Sequence, residues 1–217
     1  MQFRSWTGLA LAALLAGGGQ AQASEPSSVY LRCTMTPEQY VNAMAAAPRP
    51  AISYSDWQKW FDSQDMYGSA RVDAEWLKDS GARSLQEVVQ IWAGPGSASH
   101  YDPRTGRWQF ALLEFTDNYG EMIQLLAPLR SVAPYCQPGS DSFLLIYSYI
   151  WKGGDNAYLT LNKQRSQFAG KPTKAQRAEA DAALEMLMRT AMQACRGLAI
   201  RDAIGEARAL PILGLEA

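Results

Sequence analysis

Phe143-Leu-Leu-Ile-Tyr-Ser-Tyr-Ile-Trp151 is the stretch on which the fold turns. Its branched and aromatic side chains suit a pleated, half-buried surface, and a single serine interrupts them. Lys152-Gly-Gly-Asp-Asn156 follows with the residues of a tight turn, and Ala157 to Asn162 can return as a partner strand, so the segment predicts a β-hairpin. Alternation places Leu144, Ile146 and Ile150 on one face and Tyr147, Tyr149 and Trp151 on the other. With the aliphatic face on a core, the aromatic face is expected as a surface for a glycan, a lipid or a protein.

Working outward, a second hairpin is signalled by Tyr101-Asp-Pro-Arg-Thr-Gly-Arg-Trp108, where Pro103 and Gly106 stand at the turn. The strand after it runs from Arg107 to about Phe115. Ser28 to Cys33 reads as a strand upstream, and weaker alternation through Val72, Ala74 and Trp76 predicts another over 69–78. Helix starts are marked by Thr36-Pro-Glu-Gln39, Ser55-Asp-Trp-Gln58, Ser84-Leu-Gln-Glu87 and Thr173-Lys-Ala-Gln176, each a polar cap followed three residues on by Gln or Glu. Gly94 is placed to end the third of these helices. Tyr119 to Ser131 reads as a helix interrupted at Pro128. The last cap opens a long helix over about 174–196 with Leu184, Leu187, Met188, Ala191 and Cys195 along one stripe. Gly197 ends it, and a second helix over 199–209 stops at Pro211. Helices mixed with antiparallel hairpins, without a βαβ rhythm, define an α+β class.

The N-terminus has the pattern of a cleavable export signal. Arg4 precedes the apolar run Leu9-Ala-Leu-Ala-Ala-Leu-Leu-Ala16, three glycines end it, and Ala21-Gln-Ala23 supplies the small-x-small site. The run is far shorter than the roughly 20 residues a membrane-spanning helix needs. The expected organisation is a signal over 1–23, cleaved after Ala23, then one α+β domain over 24–217, delivered to the periplasm. No cysteine stands at the cleavage region to accept a lipid.

Formal charge is −1, without the concentrated basic face that nucleic acid requires. Cys33, Cys136 and Cys195 are an odd set in an oxidising compartment. Cys136 lies in the proline-bracketed loop Pro134-Tyr-Cys-Gln-Pro138, and the favoured pairing is Cys136 with Cys195.

Most catalytic designs are missing. His100 is the single histidine, so a multi-histidine zinc site is excluded, and there is no Cys-x-x-Cys pair, serine elbow or S-x-x-K motif. No metal and no cofactor are expected. Asp62, Asp65 and Asp73 lack the order of a calcium loop, and Gly94-Pro-Gly96 lacks the basic residue of a phosphate loop. Two acids suffice for glycan hydrolysis, which makes Glu114, with Asp117 and Glu121 close behind, the alternative catalytic set.

The remaining signal is aromatic. Trp57, Trp60 and Tyr67 are interleaved with Asp62 and Asp65, the mixture of rings and charges found at interface hot spots, and Tyr147, Tyr149 and Trp151 form the second such set. The expected occupation is a periplasmic binding or inhibitor protein acting through its surface on a protein partner. An immunity protein against a delivered toxin or enzyme is the type in mind. A carboxylate-dependent hydrolase centred on Glu114 and a carrier of a lipid or small apolar ligand are the alternatives.

Overall fold

The computed structural model describes residues 26–64, 71–78, 81–163 and 165–209, with side chains described as far as 194. The expected signal at 1–23 lies outside them, as do Asp65 and Tyr67.

One six-stranded antiparallel sheet organises the chain. Its strands are β1 (Ser28–Thr34), β2 (Ser97–Asp102), β3 (Arg107–Leu112), β4 (Ser142–Tyr147), β5 (Asp155–Leu161) and β6 (Ser166–Phe168), in the spatial order β2-β3-β1-β4-β5-β6. β1 lies at the centre, pairing Leu31 with both Phe110 and Leu144. Both predicted hairpins form, as β2–β3 and β4–β5. The first turns through Gly106 at φ +67°, where an added Cβ would meet the Met35 carbonyl oxygen at 2.8 Å, so a side chain is excluded twice over.

Both faces of the sheet are covered. Val29, Leu31, Cys33, Trp108, Phe110, Leu112, Leu144, Ile146 and Leu159 face α1 (Pro37–Ala45), α2 (Trp57–Asp62), α3 (Leu85–Ile91) and α4 (Tyr119–Arg130). Tyr30, Ala111, Leu113, Phe143, Leu145, Tyr147 and Tyr158 face α5 (Lys174–Ala209), which lays Ala180, Leu184, Leu187 and Ala191 on them. This is an α+β protein with an antiparallel sheet between a layer of four helices and one long helix. Among the described residues no helix is long and apolar enough to cross a membrane.

Local signals explain the helix starts. Thr36 and Gln39 form a reciprocal capping box, Ser84 accepts from the Glu87 N–H, and Thr173 and Gln176 repeat the box at α5. At α2 the cap is Asp56, one residue later than expected and without a side-chain capping bond.

Five expectations change. Residues 71–78 form no strand: Asp73 accepts from the Glu75 N–H and starts a 3-10 turn over Ala74–Leu77. β4 ends at Tyr147, where the register to β5 shifts, and 148–152 belong to the turn. β3 ends at Leu112, short of Phe115. α3 ends at Ile91 with Trp92 as its C-terminal cap, and Gly94 lies in the turn leading to Ser97. The C-terminal helix continues through Gly197 to Ala209 as a single element. A glycine in a helix costs only about 1 kcal/mol, and Leu198-Ala199 offers no polar side chain to cap a new start.

The cysteine pairing is also corrected. Cys136 bonds Cys33, with their Cα atoms 5.5 Å apart, and therefore does not pair with Cys195. Cys33 points from β1 into the four-helix layer. After α4, the 3-10 turn Ala133–Tyr135 returns the chain to β1, where the Gln137 N–H donates to the Thr34 carbonyl. Cys195 belongs to α5, whose described contacts are with the opposite face of the sheet.

Candidate interaction surface

Tyr147 leaves β4 on the α5 side, and its hydroxyl donates to Asp181 Oδ1 at 2.8 Å. The Arg177 guanidinium lies 4.0 Å over its ring and pairs with Asp155 at the start of β5. Asp155 Oδ1 has no well-formed hydrogen bond of its own, so Arg177 supplies its countercharge. Two carboxylates and one guanidinium thus tie the base of the β4–β5 turn to the first turns of α5. Burial and the neighbouring Asp181 push the Tyr147 hydroxyl well above the usual phenol range, because ionisation would place a second negative charge in a partly dry site.

The turn itself projects from this base. Tyr149 packs edge-on against Tyr147, with ring centroids 6.1 Å apart, and is half-buried. Trp151 is 43% exposed. Lys152 follows at φ +55°, and Gly153 sits where a Cβ would meet the Ser148 Cβ at 2.6 Å. That close approach is what glycine permits, and it bends the chain back toward β5. Beside the turn, an open cleft of about 380 Å³ is lined by Asp155, Pro172, Thr173, Arg177 and Asp181, with Lys171 and Lys174 on its rim. The result is an aromatic tip next to a shallow cleft carrying both signs of charge.

The other aromatic set is dispersed. Trp57 and Trp60 are in the core, 3% and 4% exposed. Their indole N–H groups donate to the carbonyls of Ala51 and Asn156, both at 2.8 Å. Asp62 is on the surface, accepting from Gln58 at 2.7 Å. The structure therefore places Trp57 and Trp60 on one side of the sheet and Tyr147 and Tyr149 on the other, with Trp151 on the turn outside both cores.

Glu114 is half-buried just beyond the end of β3, while Asp117 and Glu121 are exposed. Asn118, not Asp117, caps α4, accepting from the N–H groups of Gly120 and Glu121. Among the described residues no group of three or more His, Cys, Asp or Glu side chains is placed to hold a metal ion. On α5, Met186 and Met192 face outward and Met188 packs at the margin of the core.

Two polar clusters escaped the sequence reading. Arg130 in α4 is buried and grips Asp56 with both terminal nitrogens, at 2.8 and 2.7 Å. Arg32 in β1 bonds Glu179 of α5 and the side chain and carbonyl of Asp141. The available signal for Arg32 is a lone charge between Leu31 and Cys33 in an otherwise apolar strand, which requires a partner on the face it points to.

No protein-family model, curated protein or solved structure matches the chain. What defines the molecule is its own architecture and the aromatic tip described above.

Proposed function

We propose that this protein is exported to the periplasm and acts there by recognition, binding a protein partner through the β4–β5 turn and the cleft beside it. Inhibition of a toxin or enzyme delivered to that compartment is the form of recognition that best fits a small chain of this composition. The supporting observation is Trp151. A side chain of that size, 43% exposed, stands outside both cores on a turn whose base is braced by Tyr147, Asp181, Arg177 and Asp155. A large ring on a braced turn offers a wide contact area on a backbone that is already held in place, which is the character of a hot-spot residue. The acidic and basic groups of the adjacent cleft would set orientation and partner choice. The Cys33–Cys136 disulfide and the signal-like N-terminus support the oxidising compartment.

The test is a quantitative comparison of wild type and Trp151→Ala as bait for periplasmic proteins of the producing cell. Each retained protein is then purified and its affinity for both baits measured. A partner whose affinity falls at least tenfold in the variant supports the reading. Equal affinity for both baits, or no partner, overturns it. Far-ultraviolet circular dichroism of Trp151→Ala should match wild type, because the ring belongs to neither core.

A further inference from the structure

The two edges of the sheet are unequal. β6 is three residues long, a short edge of the kind that discourages pairing. β2 is six residues long, Ser97–Asp102, and Ala98, Ser99 and His100 are exposed. Neither proline nor a formal charge occurs between Ser97 and Tyr101; Asp102 is the last residue of the strand, and Pro103 and Arg104 follow in the turn. The register shows which groups are open. The Leu113 N–H donates to the Gly96 carbonyl at 2.9 Å, and Ala98 and His100 stand opposite Ala111 and Gln109. In an antiparallel ladder the main-chain groups of alternate residues point to the same neighbour. Residues 96, 98 and 100 therefore bond β3, and Ser99 and Tyr101 turn their N–H and C=O groups away from the sheet. Neither N–H has a partner among the described residues. Their side chains are fixed separately: Ser99 Oγ accepts from the Trp108 indole at 3.0 Å, and the Tyr101 hydroxyl donates to the Met35 carbonyl at 3.0 Å.

We infer that β2 is a dimer interface, pairing antiparallel with β2 of a second copy about a two-fold axis through Ser99. The sequence of the edge is complementary to itself in that register. Only pairings that bring outward-facing residues opposite one another can form the ladder, and the register centred on Ser99 aligns Ser99 with Ser99, Ser97 with Tyr101 and Ala98 with His100. Small residues fill the first half of Ser97-Ala-Ser-His-Tyr101 and large ones the second. Reversal of one copy against the other therefore sets small against large on both faces. Asp102 falls opposite Gly96, so no like charges meet. The Ser97 N–H is already given to the Gly94 carbonyl at 3.0 Å, so the ladder consists of two bonds between the Ser99 residues and one from each Tyr101 N–H to a Ser97 carbonyl. The alternative register centred on His100 is disfavoured because it sets His100 against His100, large against large. A two-fold contact of this kind is isologous and closes at two subunits, extending one sheet to a continuous twelve strands across the pair. The small area involved makes the association weak, in the micromolar range.

Sedimentation equilibrium on the full mature chain should show the mass doubling as concentration rises through that range. Amide hydrogen exchange in the same samples should show the Ser99 and Tyr101 amides slowing with concentration while Ala98 and His100 exchange at constant rates. Ala98→Lys, which puts an exposed charge on the edge without entering a core, should weaken association at least tenfold. A chain that stays monomeric at millimolar concentration overturns the proposal. So does a dimer that Ala98→Lys leaves intact, or one abolished by Cys195→Ser, which would point to a thiol link through α5. Protection of the two amides by an extended segment of another protein, on a chain that remains monomeric alone, overturns it too.

Discussion

Arg130 is 2% exposed, and its charge is met by Asp56, by Ser166 Oγ at 2.8 Å, and by the rings of Tyr54, Trp57 and Phe168, whose centroids lie 4.1, 4.7 and 5.0 Å from the guanidinium carbon. Its partner is different: the Asp56 side chain is 32% exposed and can be solvated without Arg130. Removing the two partners should therefore have unequal effects. Asp56→Ala leaves a buried guanidinium without a countercharge and should cost about 3 kcal/mol. Arg130→Met removes the charge together with its desolvation and should cost about 1 kcal/mol. The order of the urea midpoints checks this; a more stable Asp56→Ala variant would show that the three rings alone suffice for the cation. At Gly120 the decisive quantity is distance. A Cβ there would lie 2.7 Å from Trp76 Cδ1, and Trp76 packs edge-on against Phe61 at 5.5 Å. Gly120→Ala must push this indole aside and should cost about 1–3 kcal/mol, read as a lower melting temperature with a changed near-ultraviolet aromatic signal.

At the scale of the element, α5 is held by more than its apolar stripe. Beneath it, the Tyr30 hydroxyl donates to Glu179 Oε1 at 2.8 Å while accepting from Gln109 at 2.6 Å. Tyr158 donates to Gln176 at 2.9 Å, and Gln176 to Asp141 at 2.6 Å. Burial first and Glu179 second raise the Tyr30 hydroxyl above its ordinary 10.0, as burial and Asp181 do for Tyr147. A phenol that holds its proton more tightly when folded contributes stability that is complete below the unfolded value and is lost as pH rises above it. Wild type should therefore lose stability steadily as pH rises above about 10, and Tyr30→Phe with Tyr147→Phe should flatten that fall while costing about 1 kcal/mol per lost hydrogen bond at neutral pH. Parallel urea titrations across the range test it; equal slopes would refute the role of the two hydroxyls. The sequence revealed the starts of α1, α3 and α5 because a capping box is complete within four residues. It revealed both hairpins because proline, glycine and alternation are also local. It showed that Tyr147 lies opposite Ile146, but not that α5 covers that face, since period two separates faces without saying what packs on them. Cys136 and Cys33, separated by 103 positions, are joined by the return of the chain after α4, a topological fact with no local signature. Trp57 and Trp60 read as interface residues in the sequence yet lie in the core for the same reason: rings beside carboxylates look alike in a core and at an interface until the neighbouring layers are known.

For the whole molecule, the sheet separates two cores of unequal independence. The four-helix side is stitched to β1 by the Cys33–Cys136 disulfide, which closes a loop of about 100 residues and contributes about 2–4 kcal/mol. Among the described residues the α5 side has no such link, and its apolar contacts end at Ala191. Replacing both Cys33 and Cys136 by alanine should lower stability by about that amount, while an oxidised, unfolded wild-type chain should titrate a single thiol, at Cys195. The unequal support predicts the response to shortening. A chain ending at Ala194 retains Ala180, Leu184, Leu187 and Ala191 with the whole polar seam, so its melting temperature should stay within about 2 °C of the full chain. A chain ending at Gly170 loses all of them and uncovers Tyr30, Phe143, Leu145, Tyr147 and Tyr158 together, a contiguous apolar face larger than soluble monomers tolerate. It should bind a hydrophobic dye and elute as aggregates while still holding the disulfide. If the chain ending at Ala194 fails in the same way, residues beyond it stabilise the fold and the division between docked and dispensable helix is wrong. If the chain ending at Gly170 remains a well-behaved monomer, the sheet needs only its four-helix side, and α5 is a detachable cover over an aromatic face.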